Sequence, residues 1–143
     1  MKSILIIDDD VTFCLMLKTL LGKNNYKVTS VFSPVEAKRV IKDNYFDVVL
    51  TDMRMPEISG LELISPIKKQ FPQTQIILMT SYADITTAIK SIKQGAFDYI
   101  SKPLNPDELL SLIGEALRNG EQDIRNLKPA VDISQDYFEG ISR

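Results

Sequence analysis

The sequence has 143 residues, of which 44% are hydrophobic and 25% are charged, with a formal net charge of −2. This composition is typical of one compact soluble domain, and the small negative charge argues against a surface that binds nucleic acid. The chain has no histidine and one cysteine, Cys14, which excludes the usual zinc and serine–histidine chemistry and any internal disulfide. Its apolar runs are too short for a membrane helix, and its start does not resemble a signal peptide. We therefore expect a cytoplasmic domain, with Cys14 as a small core residue.

Five short, β-branched apolar runs alternate with segments of helical periodicity. Parallel strands have this continuous apolar character because helices cover both faces of their sheet. The pattern predicts an α/β fold, a doubly wound flavodoxin-like parallel sheet with strand order 2-1-3-4-5 and a ligand crevice at the carboxyl ends of the first and third strands. The predicted strands are Ser3–Asp8, Lys27–Phe32, Asp47–Thr51, Gln75–Thr80 and Phe97–Ser101.

Helix ends are marked by capping residues, glycines and prolines. Ser33–Glu36 and Asn105–Glu108 each combine an N-cap residue, a proline at the first helical position and a glutamate three residues after the cap. Helix ends are predicted near Gly22, Gly95 and Gly120, and at Pro72 for the segment that begins near Ser59. Two apolar stripes are expected to pack on the sheet: Ile85, Ala88, Ile89 and Ile92 in the fourth helix, and Leu109, Ile113, Ala116 and Leu117 in the fifth.

Helical periodicity fades after Gly120, and Pro129 would break a helix. We therefore predict one domain over residues 1–120. Residues 121–143 are predicted to be a linker or tail that is cut off in mid-segment at Arg143.

Carboxylates follow the first and third predicted strands directly. Asp8, Asp9 and Asp10 come after the first strand, and Asp52 comes after the third. Two such charges about 4 Å apart repel by roughly 1 kcal/mol in water and about 4 kcal/mol near a protein surface, so a hard cation would offset the cost. Magnesium fits best, with manganese as an alternative, because both favour oxygen ligands. Asp10 alone is better explained as the N-cap of a helix beginning at Val11.

The fourth and fifth strands add a hydroxyl and a cation to the same edge of the sheet. Thr80 ends the fourth strand, and Lys102 follows the fifth. A hydroxyl can donate to a phosphate oxygen and an ammonium can neutralise one. Taken together with the acids, these residues indicate phosphoryl chemistry.

These residues resemble the receiver domain of bacterial two-component response regulators, over about residues 3–120. Four motifs carry the resemblance, and each lies at a predicted strand end. They are Ile6-Ile7-Asp8-Asp9-Asp10, Leu50-Thr51-Asp52-Met53-Arg54-Met55-Pro56 with Gly60, Met79-Thr80-Ser81, and Gly95-Ala96-Phe97-Asp98-Tyr99-Ile100-Ser101-Lys102-Pro103. Ser59 departs from the family, which often has aspartate there.

The resemblance implies a phosphoprotein of phosphorelay signal transduction rather than a conventional enzyme. Asp52 would accept a phosphoryl group from a sensor histidine kinase, and the domain would catalyse its own phosphorylation and autodephosphorylation. Asp9, Asp52 and the backbone carbonyl of Arg54 would bind magnesium, and Asp8 would orient a coordinating water. Lys102 would pair with the phosphoryl oxygens.

The resemblance also implies a switch. The Lys102–Pro103 bond is expected to be cis, and Thr80 and Tyr99 would form the switch pair that reshapes the face made by the fourth helix, fifth strand and fifth helix. That face is a candidate homodimer surface. Arg54 and Tyr82 are bulky residues two positions past Asp52 and Thr80, and a shielding role that slows autodephosphorylation is a hypothesis.

The residues of these motifs are most similar to those in receivers of nitrogen-regulation-type (sigma-54-dependent) transcriptional activators. Those proteins carry an ATPase domain and a DNA-binding domain downstream. Residues 138–142 resemble the entry to that ATPase domain. This chain has no Gly-rich phosphate loop of its own, so an output domain would lie C-terminal to it. We expect no direct nucleic-acid binding by the receiver domain and no membrane contact.

Three alternatives remain open at this point. Asp8-Asp9-Asp10-Val11-Thr12 also matches a haloacid-dehalogenase-type magnesium phosphatase, with Asp8 as nucleophile and Asp10 as general acid. That family needs a long flap after its first strand, whereas a helix begins here at once, and Asp52 would have no role. A flavin or nucleotide module would want glycines in place of the aspartates. A structural domain with a degenerate site would not need the whole acidic, hydroxyl and lysine set.

Overall fold

The computed structural model describes residues 1–55 and 59–127, apart from the side chains of residue 82 and of residues 123–127. Strands and helices alternate along this part of the chain. The strands are β1 (Ser3–Ile7), β2 (Lys27–Val31), β3 (Val48–Asp52), β4 (Gln75–Thr80) and β5 (Asp98–Ser101). The helices are α1 (Val11–Lys23), α2 (Pro34–Asp43), α3 (Ile64–Gln70), α4 (Ile85–Ile92) and α5 (Pro106–Leu127), with short 3₁₀ segments at Gly60–Leu63 and Tyr82–Asp84.

The five strands form one parallel sheet in the order β2-β1-β3-β4-β5, which confirms the predicted topology. The predicted strand bounds are correct to within one residue. In the register, Ile7 of β1 pairs with Thr51 of β3, and Asp52 pairs with Met79 of β4. The carboxyl ends of these strands therefore lie side by side at one edge of the sheet.

Two apolar clusters hold the helices to opposite faces of the sheet. On one face, Leu5, Val49 and Leu78 pack with residues of α2, α3 and α4. On the other face, Ile6 and Leu50 pack with residues of α1 and α5. Strand residues alternate between the clusters because successive side chains point to opposite faces.

The caps that the sequence predicts are present. The side chain of Ser33 accepts a hydrogen bond from the backbone N–H of Glu36 at 3.2 Å, and Asn105 accepts one from Glu108 at 3.1 Å. Asp10 caps α1 by accepting from Phe13 at 3.0 Å. These bonds satisfy amides that would otherwise lack a partner at the start of each helix.

The apolar stripe predicted for α4 is only partly correct. Ala88 is buried, but Ile89 and Ile92 are 51% and 36% exposed. The residue that shares the buried face with Ala88 is Ser91, whose hydroxyl donates to the Ala88 carbonyl at 2.5 Å. Small side chains let the short helix lie close to the sheet, and this contact turns the larger isoleucines towards solvent. The stripe predicted for α5 is confirmed, with Leu109, Ile113 and Ala116 fully buried and Leu117 partly buried.

One of the predicted helix ends is wrong, the one near Gly120. α5 continues past Gly120 to Leu127, because the glycine serves a close approach: a Cβ at position 120 would lie 3.1 Å from the Gln73 carbonyl oxygen. The predicted end near Gly22 is correct to within one residue, since α1 ends at Lys23, and Asn25 adopts the left-handed φ of 69° after it. Gly95, with φ of 122°, follows α4 as predicted.

Part of the predicted linker or tail is therefore helical. The predictions for Pro129, for residues 138–142 and for the rest of 128–143 concern residues outside the described part of the chain, as does the one for Pro56. Within the residues that the structure describes, no helix combines the length and apolarity needed to cross a bilayer.

Candidate functional site

Three carboxylates meet at the carboxyl edge of the sheet. Asp8 and Asp9 follow β1, and Asp52 is the last residue of β3, so the adjacency of these two strands brings the acids together. One carboxylate oxygen from each lies within 4.8 Å of the others. Asp8 is buried, Asp9 is exposed and Asp52 is partly buried. The cluster predicted from the sequence is therefore present. Solvent exposure increases across it from Asp8 to Asp52 to Asp9, so the site opens to solvent at Asp9.

Both carboxylate oxygens of Asp8 are already engaged. Its Oδ2 accepts from the Lys102 ammonium at 2.8 Å, and its Oδ1 accepts from the backbone N–H of Asp10 at 3.0 Å. The side chain is 1% exposed. A carboxylate held in this way is a fixed structural anion rather than a free nucleophile.

Asp52 is the less constrained acid. Its Oδ1 lies 3.5 Å from the Lys102 Nζ, and its side chain is 15% exposed. Burial raises the pKa of Asp52, and the negative charge of Asp8 raises it further, although Lys102 and the backbone amide of Arg54 partly offset both effects. Negative charge at this position is therefore incompletely compensated by the protein alone.

Lys102 contacts both Asp8 and Asp52. Burial lowers the pKa of its ammonium, but the hydrogen bond to Asp8 and the charge of Asp52 outweigh burial, so the pKa is raised and the lysine stays charged. The ring of Phe13 also contacts this ammonium, with 4.4 Å from Nζ to the ring centroid. The Lys102–Pro103 bond is cis, as the resemblance predicts.

The hydroxyl and aromatic residues assigned to the switch lie on β4 and β5. Thr80 is 1% exposed, and its Oγ1 donates to the Ser81 carbonyl at 3.1 Å. Tyr99 is partly buried and packs against the apolar cluster that includes Leu78. Thr80 thus ends the strand next to β3, and its hydroxyl bond in this structure is to its own loop.

Arg54 contacts the start of α4. Its Nε and Nη2 atoms donate to the two carboxylate oxygens of Asp84 at 2.7 and 2.6 Å. The Ser81 hydroxyl donates to the same carboxylate at 3.1 Å, and Arg54 lowers the pKa of Asp84. The guanidinium is thus committed to a link between the loops after β3 and β4. The other residue of the shielding hypothesis, Tyr82, has a side chain outside the described residues.

Two functional contacts were absent from the sequence prediction: the Arg54–Asp84 pair and the contact of Phe13 with Lys102. Both join residues far apart in the chain through the rotamers of long side chains. Phe13 carried one usable signal, because it lies in the first turn of α1, directly after the acidic run.

Cys14 is a core residue, as predicted. It is 1% exposed, and its Sγ donates to the Asp8 carbonyl at 3.3 Å. Burial, reinforced by the charge of Asp8, raises the pKa of the thiol to about 11.

Because the thiolate is the reactive form of cysteine, we expect alkylation of Cys14 by iodoacetamide at pH 8 to be at least about 100-fold slower in the native chain than in guanidinium. Equal rates, followed by mass spectrometry, would contradict this burial.

The donor set fits a hard divalent cation. The available ligands are carboxylate oxygens, which magnesium favours, and they converge without a histidine or thiolate competitor in the cluster. The raised pKa of Asp52 reflects the same excess of negative charge that a cation would relieve. Asp8, Asp9 and Asp52 thus form a site suited to magnesium.

The response regulator receiver domain family matches residues 4–114, and the chain belongs to that family. Its relatives include the transcriptional regulatory protein ZraR of Escherichia coli strain K12, which is 36% identical over 140 residues, covering 98% of this chain and 32% of ZraR. The response regulator protein PilR of Pseudomonas aeruginosa is 38% identical over 117 residues, covering 82% of this chain and 26% of PilR. The chain therefore spans about a third or less of the length of these relatives.

Solved structures of response regulators have a fold similar to that of this chain. A response regulator receiver domain protein from Clostridium thermocellum has a TM-score of 0.81 at 35% identity, covering 85% of this chain and 98% of that protein. NtrX from Brucella abortus also has a TM-score of 0.81, at 27% identity, covering 89% of this chain and 30% of NtrX. The predicted resemblance to receivers of transcriptional regulators is confirmed, and the phosphatase alternative is not favoured.

Proposed function

We propose that this receiver domain accepts a phosphoryl group on Asp52 and passes the resulting change of charge to an output domain. The observation that carries the assignment is the contrast between the buried Asp8 and the partly buried Asp52. Both oxygens of Asp8 are hydrogen-bonded, whereas the Asp52 carboxylate is partly exposed and faces Lys102 at 3.5 Å. Asp52 is therefore the carboxylate able to attack.

In the transfer, an Asp52 carboxylate oxygen forms a bond to phosphorus while the bond from phosphorus to the donor nitrogen breaks. The donor fits a phosphohistidine, and the leaving imidazole takes a proton from solvent. Lys102 moves its ammonium from Asp8 towards the phosphoryl oxygens, which concentrates positive charge where negative charge develops. The absence of histidine from this chain agrees with a donor histidine on a partner kinase.

Asp8, Asp9 and Asp52, with the backbone carbonyl of Arg54, would hold magnesium. When bound, the cation neutralises negative charge on the carboxylates and on the phosphoryl oxygens. Asp8 contributes through its fixed orientation, since the Asp10 amide and Lys102 hold its two oxygens. Asp9 is exposed and so forms the entry side of the site.

Thr80 and Tyr99 supply the readout. A phosphoryl group at Asp52 adds negative charge and acceptor oxygens, so the Thr80 hydroxyl exchanges its bond to Ser81 for one to phosphate. The space released at the end of β4 lets Tyr99 move further inward, and the face of α4, β5 and α5 changes shape. The exposed Ile89 and Ile92 make this face suitable for a homodimer or an output domain.

The partners follow from the same chemistry. A sensor histidine kinase donates the phosphoryl group, and an output domain C-terminal to this chain receives the signal. ZraR is named as a transcriptional regulatory protein and PilR as a response regulator protein, and both are about three times as long as this chain, which supports transcription regulation as the output. The 143-residue chain carries a formal net charge of −2, which does not favour binding to nucleic acid.

The test is phosphorylation by a small phosphodonor such as acetyl phosphate with magnesium, followed by intact mass and by borohydride reduction to locate the acyl phosphate. We expect one phosphoryl group per chain on Asp52 and none on the Asp52→Asn variant. The matched control is Asp47→Asn, which removes an acid at the opposite end of β3 and leaves the site intact. Label on Asp8, or a labelled Asp52→Asn variant, would overturn the assignment.

A further inference from the structure

The ammonium of Lys102 has an aromatic neighbour that the phosphoryl-transfer scheme does not use. Its Nζ lies 2.8 Å from the Asp8 Oδ2, 3.5 Å from the Asp52 Oδ1 and 4.4 Å from the centroid of the Phe13 ring. An ammonium within about 6 Å of a ring centroid is attracted to the ring electrostatically. Three groups, two anionic and one aromatic, therefore fix its position.

The Phe13 ring is held on a rigid element. Phe13 lies in the first turn of α1, where its backbone N–H donates to the capping Asp10 side chain at 3.0 Å. Its ring is partly buried and packs against the apolar cluster that joins α1 and α5 to the sheet. The position of the ring is therefore set by the helix start and by the core rather than by Lys102.

We propose that Phe13 is a positioning residue that keeps the Lys102 ammonium within reach of a phosphoryl group at Asp52. The proposal rests on the proposed function, in which Lys102 moves from Asp8 to the phosphoryl oxygens. Asp8 is the closer acid and holds the ammonium with a directed hydrogen bond. The Phe13 ring attracts the ammonium electrostatically and does not need a directed hydrogen bond from it. The ammonium can therefore stay in contact with the ring while its N–H groups turn from Asp8 to a new acceptor.

A lysine without this ring has two unproductive positions. Its flexible stem can carry the ammonium into solvent, where its side chain is already 29% exposed, or it can stay on Asp8. The apolar ring also keeps water from one part of the ammonium surface, which strengthens the attraction to nearby anions. An aliphatic residue of similar size would exclude water but would not attract the charge.

The test compares two variants in the full 143-residue chain, with acetyl phosphate and magnesium as the probe. Phe13→Leu keeps an apolar side chain and should lower the maximal rate of phosphorylation by about three- to tenfold. Phe13→Tyr keeps the aromatic face and should stay within about twofold of the wild type. Leu20→Ala, which truncates a residue of the same cluster two turns further along α1, controls for lost packing and should leave the rate unchanged.

A double-variant cycle separates this proposal from the proposed function. Lys102→Gln alone should lower the rate strongly, and adding Phe13→Leu to it should change the rate by less than about twofold. An equal loss from Phe13→Leu in both backgrounds, or a loss with Phe13→Tyr as large as with Phe13→Leu, would overturn the positioning role. An unchanged rate for Lys102→Gln would instead contradict the role of Lys102 in the proposed function.

A spectroscopic measurement gives an answer that does not depend on activity. The ring current of Phe13 should shift the ε-methylene protons of Lys102 upfield in the NMR spectrum of the unphosphorylated chain. The shift should persist in Phe13→Tyr and disappear in Phe13→Leu. An ordinary lysine shift in the wild-type chain would show that ring and ammonium are not in contact, and the proposal would fail.

Discussion

Replacing Gly60 with alanine should lower the free energy of unfolding by about 2–4 kcal/mol. A Cβ at this position would clash with the backbone carbonyl oxygen of Asp52 and would lie 2.9 Å from the Thr51 Oγ1. The clash is with backbone, which has no rotamer to change. Gly60 cannot retreat either, because its N–H donates to the Met53 carbonyl at 2.8 Å. Relief therefore requires the end of β3 to move.

Because the clashing atom belongs to Asp52, the same substitution should also slow phosphorylation at Asp52 by about tenfold or more, since a displacement of 1 Å at a reacting group is already costly. Urea denaturation followed by circular dichroism measures the stability, and intact mass measures the phosphorylation rate. The matched control is Gly22→Ala, which meets no atom within 4 Å and lies inside α1. It should raise stability by about 0.5–1 kcal/mol. A loss below about 0.5 kcal/mol at position 60 would contradict the clash.

The site could be predicted from the sequence because topology alone decides most of it. Once β1 and β3 are neighbours in a parallel sheet, the residues that follow them must meet, whatever the rotamers. Asp8 and Asp52 follow or end neighbouring strands, so their proximity required only the strand order. Lys102 follows β5, which β3 and β4 separate from β1, so its contact with Asp8 also depends on the length and direction of its side chain. The two caps at Ser33 and Asn105 were equally local, since each depends on residues within one turn.

What could not be predicted depends on side-chain direction and on the closeness of elements. Arg54 and Asp84 are thirty residues apart, and their pairing follows from the conformation of two loops. The exposure of Ile89 follows from how α4 rotates to put Ala88 and Ser91 on the sheet, although periodicity alone favoured the larger residues. A glycine at position 120 is typical of a helix end, yet in the structure it allows the helix to pass close to the Gln73 carbonyl.

Without divalent cations, the isosteric substitution Asp52→Asn should raise the melting temperature by about 2–5 °C at pH 7. Burial and the charge of Asp8 raise the pKa of Asp52, so the folded state holds this proton more tightly than the unfolded state does. The wild-type chain therefore loses stability as the pH rises from about 4 through the raised pKa. The advantage of the variant should grow over that range and then level off. Glu115→Gln, an exposed change on α5, should show no such trend.

Magnesium should reduce the difference in melting temperature between Asp52→Asn and the wild-type chain. A cation at ten times its dissociation constant stabilises the folded state by about 1.4 kcal/mol, and the wild-type chain offers it one more carboxylate than the variant does. Calorimetry at pH 7, with millimolar magnesium and then with excess chelator, should show a reversible rise in the wild-type melting temperature and a smaller rise in Asp52→Asn. A wild-type melting temperature that does not change when magnesium is added would contradict the metal site. A variant less stable than the wild type without metal would instead show that the Lys102 contact outweighs burial and repulsion at Asp52.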